Sequence, residues 1–125
     1  PAHRDVLPGL LKLMDPANDA WTREAVARQL GQLVWGLRED DKDFLRVVQE
    51  LSEAIKQDKN DRVRLFAVWS LNYLGPKAKA AIPALKQAQA DRYEEVSRAA
   101  REALRKIEGR QPAPAPEEPK PEQRP

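Results

Sequence analysis

The chain is 125 residues long with a mass of 14.2 kDa, room for one domain with a real core and too little for two of ordinary size. Apolar residues make up 41% and charged residues 34%, with three Trp, two Tyr, two Phe and five Gly, a balance that suits a narrow Leu- and Ala-based helical core better than a β-sandwich. The net charge is only +2 with acids and bases interleaved, so composition supplies no long-range field for nucleic acid, and the absence of cysteine excludes disulfides, thiolate metal sites and a cysteine nucleophile.

Apolar residues at three- and four-residue spacing predict six helices. The first runs from about Asp5 to Met14 and is ended by the Asp-Pro-Ala-Asn-Asp stretch 15–19. The second covers about Thr22 to Gly36, with Thr22 as N-cap and Trp21 placed to pack on Val26 as a hydrophobic staple. The acidic link 38–43 leads into a third helix, about Asp43 to Gln57. The fourth starts near Asp61 and stops at Leu74, before Gly75-Pro76. The fifth covers about Lys77 to Ala90 and tolerates Pro83 near its opening turn. The sixth runs from about Asp91 to Glu108, with Asp91-x-x-Glu94 resembling a capping box and Gly109 at its end.

Residues 110–125 read as a Pro-rich disordered tail or linker. From Gln111 onward the chain holds six of its eleven prolines and nothing to bury, so a solvated, polyproline-II-like segment is expected. Its charges cancel: Arg110, Lys120 and Arg124 against Glu117, Glu118 and Glu122. A spacer, or a linker to a further domain, fits this composition; an SH3-type ligand calls for a longer run of alternating prolines. No stretch approaches the roughly 18–20 apolar residues that span a bilayer, and no signal-peptide pattern is visible. The chain begins with Pro1 rather than Met and is read as a processed product or excised domain. The compartment, cytoplasmic or periplasmic/secreted, stays open.

The six helices form three pairs. A shift of 41 residues carries Val6, Leu7, Leu10 and Met14 onto Val47, Val48, Leu51 and Ile55, and carries Val26, Leu30 and Leu33 onto Ala67, Leu71 and Leu74. A shift of 33 carries Val63, Ala67, Leu71 and Leu74 onto Val96, Ala100, Leu104 and Ile107. The first unit also shares a Leu-Pro-Gly-Leu segment (7–10) with Ile-Pro-Ala-Leu (82–85) of the third. Such periods are the signature of stacked supersecondary units, each too small to bury its apolar face alone.

The segments 61–75, 76–91 and 94–107 resemble the short bacterial form of the HEAT repeat. Asp61, Val63, Arg64, Ala67, Leu71, Leu74 and Gly75 match its second helix, as do Val96, Ala100 and Leu104 in the next unit. Ile82, Pro83 and Leu85 match its first helix. The resemblance is weaker in the first unit, where Thr22 stands at the Val position. It implies an all-α fold, an α-α superhelix or short α-solenoid of three HEAT-like helix pairs. One domain over 1–109 follows, with units at about 4–36, 42–75 and 77–108. The link 38–43 is then a loop on the rim.

Catalysis finds little support. His3 is the single histidine and sits near the terminus. No Ser/His/Asp set, Gly-rich phosphate loop or metal-ligand spacing appears, so no catalytic residue, metal or cofactor is assigned. Asp40, Asp41 and Asp43 lack the glycine and distal Glu of a calcium loop and read as a solvated acidic turn. Arg64 reads as a charge pair at a helix start or as a rung between repeats.

Binding is the better reading. The resemblance implies that the second helix of each pair lines a concave ligand surface. Opposite the core stripe Val63, Ala67, Leu71 and Leu74, the fourth helix carries Leu65, Trp69 and Tyr73. The equivalent residues are Glu24, Arg28 and Gln32 in the first unit and Arg98, Glu102 and Lys106 in the third, so the middle unit is the exception. Trp35 continues the first unit's row. The expected site is therefore Trp69, Tyr73, Leu65 and Trp35 with Arg28, Arg98 and Lys106 around them. Aromatics mixed with arginine are what interface hot spots favour. Phe66 and Val68 read as packing residues. Three alternatives stay open for the row itself: a protein partner, internal covering of Trp69 by the stems of Arg28 and Lys106 or by the Pro-rich tail folding back, or weak self-association. At the level of function, the main reading is a non-enzymatic scaffold for a protein partner. The alternatives are a nucleic-acid-associating solenoid using Arg28, Arg98, Lys106 and Arg101, or a bilin-lyase-like enzyme using Glu24 and Glu102.

Overall fold

A computed structural model describes residues 2–109; the side chain of His3 and the Pro-rich segment 110–125 lie outside what is described. Short polar side chains start three of its helices by accepting the first free N–H groups. Asp19 accepts from Thr22 N at 2.7 Å and opens α2 (Ala20–Val34). Asp41 accepts from Asp43 N at 2.8 Å and opens α3 (Lys42–Gln57). Asn60 accepts from the amides of Arg62 and Val63 at 2.9 and 3.1 Å and opens α4 (Asp61–Leu74). Gly75 closes α4 at φ 67°, in the left-handed region that favours glycine, with its N–H donating to Leu71 O.

Several boundaries differ from expectation for identifiable reasons. The N-cap of α2 is Asp19, not Thr22, so Trp21 falls within the first turn, 83% exposed, and staples nothing to Val26. The expected fifth helix is divided: Gly75–Ala81 is a 3₁₀ segment and α5 is only Ile82–Ala88. A proline inside a helix lacks its N–H and strikes the carbonyl four residues back. Pro83 therefore forces a new first turn at Ile82. The last helix, α6, is Glu94–Ile107, and Asp91 does not form a capping box with Glu94. Its carboxylate instead accepts from Tyr93 N and from Arg64. At the other end, α1 (Ala2–Leu13) is closed by turns through Met14 and Asp15.

The helices pair as α1/α2, α3/α4 and α5/α6, and the pairs stack side by side. One layer is α2, α4 and α6 in close succession; in the other, α3 packs on α5, while α1 packs mainly on α2. This is an α-solenoid, tighter along its α2–α4–α6 side. The two repeat shifts locate its core. Val63, Ala67, Leu71 and Leu74 are buried, as are Val96, Ala100, Leu104 and Ile107 in the third unit and Val47, Val48, Leu51 and Ile55 in the second. The first unit follows incompletely: Leu7, Met14, Val26 and Leu30 are buried, Leu10 and Leu33 are half-buried, and Val6 is exposed. As the end helix, α1 has no neighbour on its outer side, and Val6, Gly9, Leu10 and Leu13 line an open groove of about 820 Å³ against Leu33.

Two buried ion pairs fasten successive units. Arg23 donates to the Asp58 carboxylate through Nε and an Nη at 2.8 and 3.1 Å. Arg64 does the same to Asp91 at 2.8 and 3.1 Å, and donates its other Nη to Asp58 O at 2.9 Å. The rungs obey the repeat shifts: Arg23 to Arg64 is 41 residues and Asp58 to Asp91 is 33. Of the two roles open to Arg64, the rung between repeats is the one it takes. Such bidentate geometry is what allows charges to be buried at tolerable cost. Asp41 and Asp43 are occupied too, facing Arg4 at 3.5 Å.

Candidate functional site

The site is built where α2 and α4 come closest. Gly31 on α2 has no side chain, and a Cβ placed there would lie 2.9 Å from Ser70 O of α4. Ser70, itself buried, donates its hydroxyl to Ala27 O and, at 3.2 Å, to Arg28 O. Glycine in a helix interior costs about 1 kcal/mol relative to alanine, so its presence here answers to the close approach. That approach brings Arg28 and Trp35 of the α2 side against the exposed edge of α4.

One line runs along the edge of α4: exposed Arg62, Trp69 and Tyr73, with the buried ring of Phe66 beneath them. At about 100° per residue these four fall within a narrow arc. At one end, Arg62 donates twice to Glu24 Oε1, at 2.9 and 3.1 Å. The guanidinium carbons of Arg62 and Arg28 lie 5.5 and 5.6 Å from the Phe66 ring centre, within cation–π range. Phe66 is otherwise buried and meets Trp69 edge to face, with centroids 4.9 Å apart and planes at 83°. At the far end Tyr73 lies 6.2 Å from Trp35, tilted by 45°. Trp35 is itself held from behind, because Lys77 donates to Trp35 O and Leu37 O at 3.0 and 2.7 Å. Trp69, Tyr73 and Trp35 remain 48%, 47% and 56% exposed.

The expected residues are thus only partly gathered. Trp69, Tyr73, Trp35 and Arg28 share one strip. Leu65 does not belong to it: only 5% exposed, it is part of the core. A spacing of four residues drifts about 40° per step, so a row of 65, 69 and 73 spirals off the exposed line. Ser70 fixes which side of α4 faces α2, and Leu65 lies around the helix on the other side, where α6 packs. Arg98 and Lys106 are exposed on α6 beside the strip. Arg98 is paired with Glu94 at 2.8 Å, and Lys106 lays its stem along the end of α4, its Cε 3.5 Å from where a Gly75 Cβ would be. Phe66 and Val68 pack internally, though Phe66 also forms the floor of the strip. Arg62, Glu24's partner, was not among the expected residues. Its signal was its position at the head of the 62, 66, 69, 73 line.

Stacked helix pairs with a continuous layer of second helices define an α-solenoid repeat protein. The family model that describes HEAT repeats matches residues 7–105. The chain belongs to the HEAT-repeat family. No curated protein matches it. No helix among the described residues is long and apolar enough to cross a membrane.

Proposed function

We propose that this chain is a non-enzymatic HEAT-repeat scaffold, a module of a larger bacterial protein, that holds a protein partner along the strip formed by Arg28, Trp35, Trp69 and Tyr73, with Arg98 and Lys106 at its margin. HEAT repeats serve in general as protein-interaction scaffolds, and that generality supports the class of function. The observation that carries the site is the half-exposed aromatic line running across two helices. Water solvates such a surface poorly, and exposed apolar patches of this kind mark binding sites. Trp, Tyr and Arg are also the residues that dominate binding energy when buried by a partner. The strip's cations are held in place by ring faces and by Glu24, which preorganises the surface and lowers the cost of ordering it on binding.

The test is capture with the chain as bait. The Trp69→Ala/Tyr73→Ala variant should fail to retain the protein that the wild type retains, while keeping its helical circular dichroism. Retention of the same protein by both baits would exclude the strip as the binding surface.

A further inference from the structure

The strip's chemistry matches a ligand that the chain itself carries. Aromatic-lined surfaces bind polyproline-II segments because proline rings stack on Trp and Tyr faces and the segment is already stiff before it binds. Residues 111–125, Gln-Pro-Ala-Pro-Ala-Pro-Glu-Glu-Pro-Lys-Pro-Glu-Gln-Arg-Pro, have the composition of such a segment. We propose that this tail docks on the strip of the same molecule, with Pro112–Pro116 on Trp35, Tyr73 and Trp69 and with Glu117 and Glu118 reaching Arg28 and Arg62. The inference rests on the reading of the strip as a recognition surface and names its resident occupant.

Reach, length and charge order all agree. The tail starts beyond Gly109, which turns the chain out of α6 at φ 74°. The last turn of α6 abuts the last turn of α4, since the Lys106 stem lies at Gly75. Packed helices are about 8–10 Å apart, and the three peptide steps from Gly109 to Pro112 cover about 10 Å. The tail is therefore long enough to reach the Tyr73–Trp35 end. From Tyr73 to Arg62 the strip is about 16 Å long at 1.5 Å per residue. A polyproline-II run from Pro112 to Glu117 covers about 16 Å at 3.1 Å per residue. The acids thus come level with the two arginines as the prolines come level with the rings. The tail's remaining charges, Lys120, Glu122 and Arg124, lie beyond that span. An outside partner using the same strip would have to displace the tail.

The experiment uses the full chain. It has no native cysteine, so Ala115→Cys takes a single nitroxide label, and backbone amide NMR signals report which residues the label approaches. The expected result is loss of signal at Phe66, Trp69 and Tyr73 and at Trp35, abolished by Trp69→Ala/Tyr73→Ala and weakened by Glu117→Gln/Glu118→Gln. Loss of signal confined to Val6, Leu10 and Leu13 would overturn the proposal in favour of the α1 groove. Loss of signal in an unlabelled, isotope-enriched chain mixed with the labelled one would assign the strip to a second copy's tail and likewise overturn it. No loss anywhere would also overturn it; with the double variant still folded, the strip would then stand as a surface free for another partner. Unfolding of the double variant would instead remove the recognition reading itself.

Discussion

Gly31 and Ser70 meet so closely that any side chain at Gly31 would press on the Ser70 backbone: an added Cβ would sit 2.9 Å from the carbonyl oxygen and 3.0 Å from the Ser70 Cβ. This one contact sets the spacing of α2 and α4, and through it the meeting of Arg28 with Phe66 and of Trp35 with Tyr73.

Gly31→Ala tests that relationship. Helix propensity favours alanine by about 1 kcal/mol, but the opposing atoms are backbone and cannot swing aside, and overpacking costs about 1–3 kcal/mol. The net outcome is a loss of stability in urea unfolding. Gly9→Ala is the matched control. Its added methyl would meet nothing within 4 Å, so propensity acts alone and stability should rise by about 0.5–1 kcal/mol.

The ladder gives a pH-dependent prediction. Burial pushes the Asp91 carboxyl up, but the hydrogen bonds from Arg64 and from the Tyr93 N–H outweigh it, and the group is held below the usual carboxylate value. An acid whose folded pKa is depressed stabilises the fold above its unfolded value, about 3.9, and ceases to do so as pH falls through the folded value. Asp91→Asn leaves Arg64 without its anion in a site where both side chains are nearly buried. It should cost about 3 kcal/mol at pH 7. The difference from wild type should begin to shrink below about pH 4, where the unfolded carboxyl takes up its proton, and should be lost only as pH falls through the lower folded value. A constant difference across pH 2–7 would contradict the assignment.

Much of the fold was legible because the apolar residues, and even the rungs Arg23, Arg64, Asp58 and Asp91, recur at the same two shifts. What periodicity in one helix could not show was its neighbours. Leu65 looked like part of an exposed row because nothing local reveals that α6 covers that side of α4. Val6 looked like core because nothing local reveals that α1 is an end helix. Arg62 and Phe66 were hidden differently. A row read at four-residue spacing from Trp69 and Tyr73 runs back to Leu65, whereas the true line steps by four, three and four. Gly31 lies inside a helix as Gly9 does, and only the packed structure shows that Gly31 marks a close approach while Gly9 faces open space.

Lys77 offers a prediction about positioning. Its ammonium group joins the carbonyls of Trp35 and Leu37 to the 3₁₀ segment and lies over the Phe44 ring at 5.5 Å. Lys77→Met keeps the stem and removes the donors. Stability should fall by about 1–2 kcal/mol, and the amides of Trp35 and Leu37 should exchange faster with solvent while those of Leu30 and Leu71 stay protected.

The central claim is that α4 carries two apolar faces with separate duties, Val63, Ala67, Leu71 and Leu74 for the fold, Trp69 and Tyr73 for recognition. Urea unfolding of Trp69→Ala/Tyr73→Ala beside Leu71→Ala tests it most directly. Leu71 is fully enclosed, and its truncation should cost about 3–5 kcal/mol. Loss of both half-exposed rings together should cost no more than about 2 kcal/mol. A loss from the double variant equal to or greater than that from Leu71→Ala would show that the rings belong to the core.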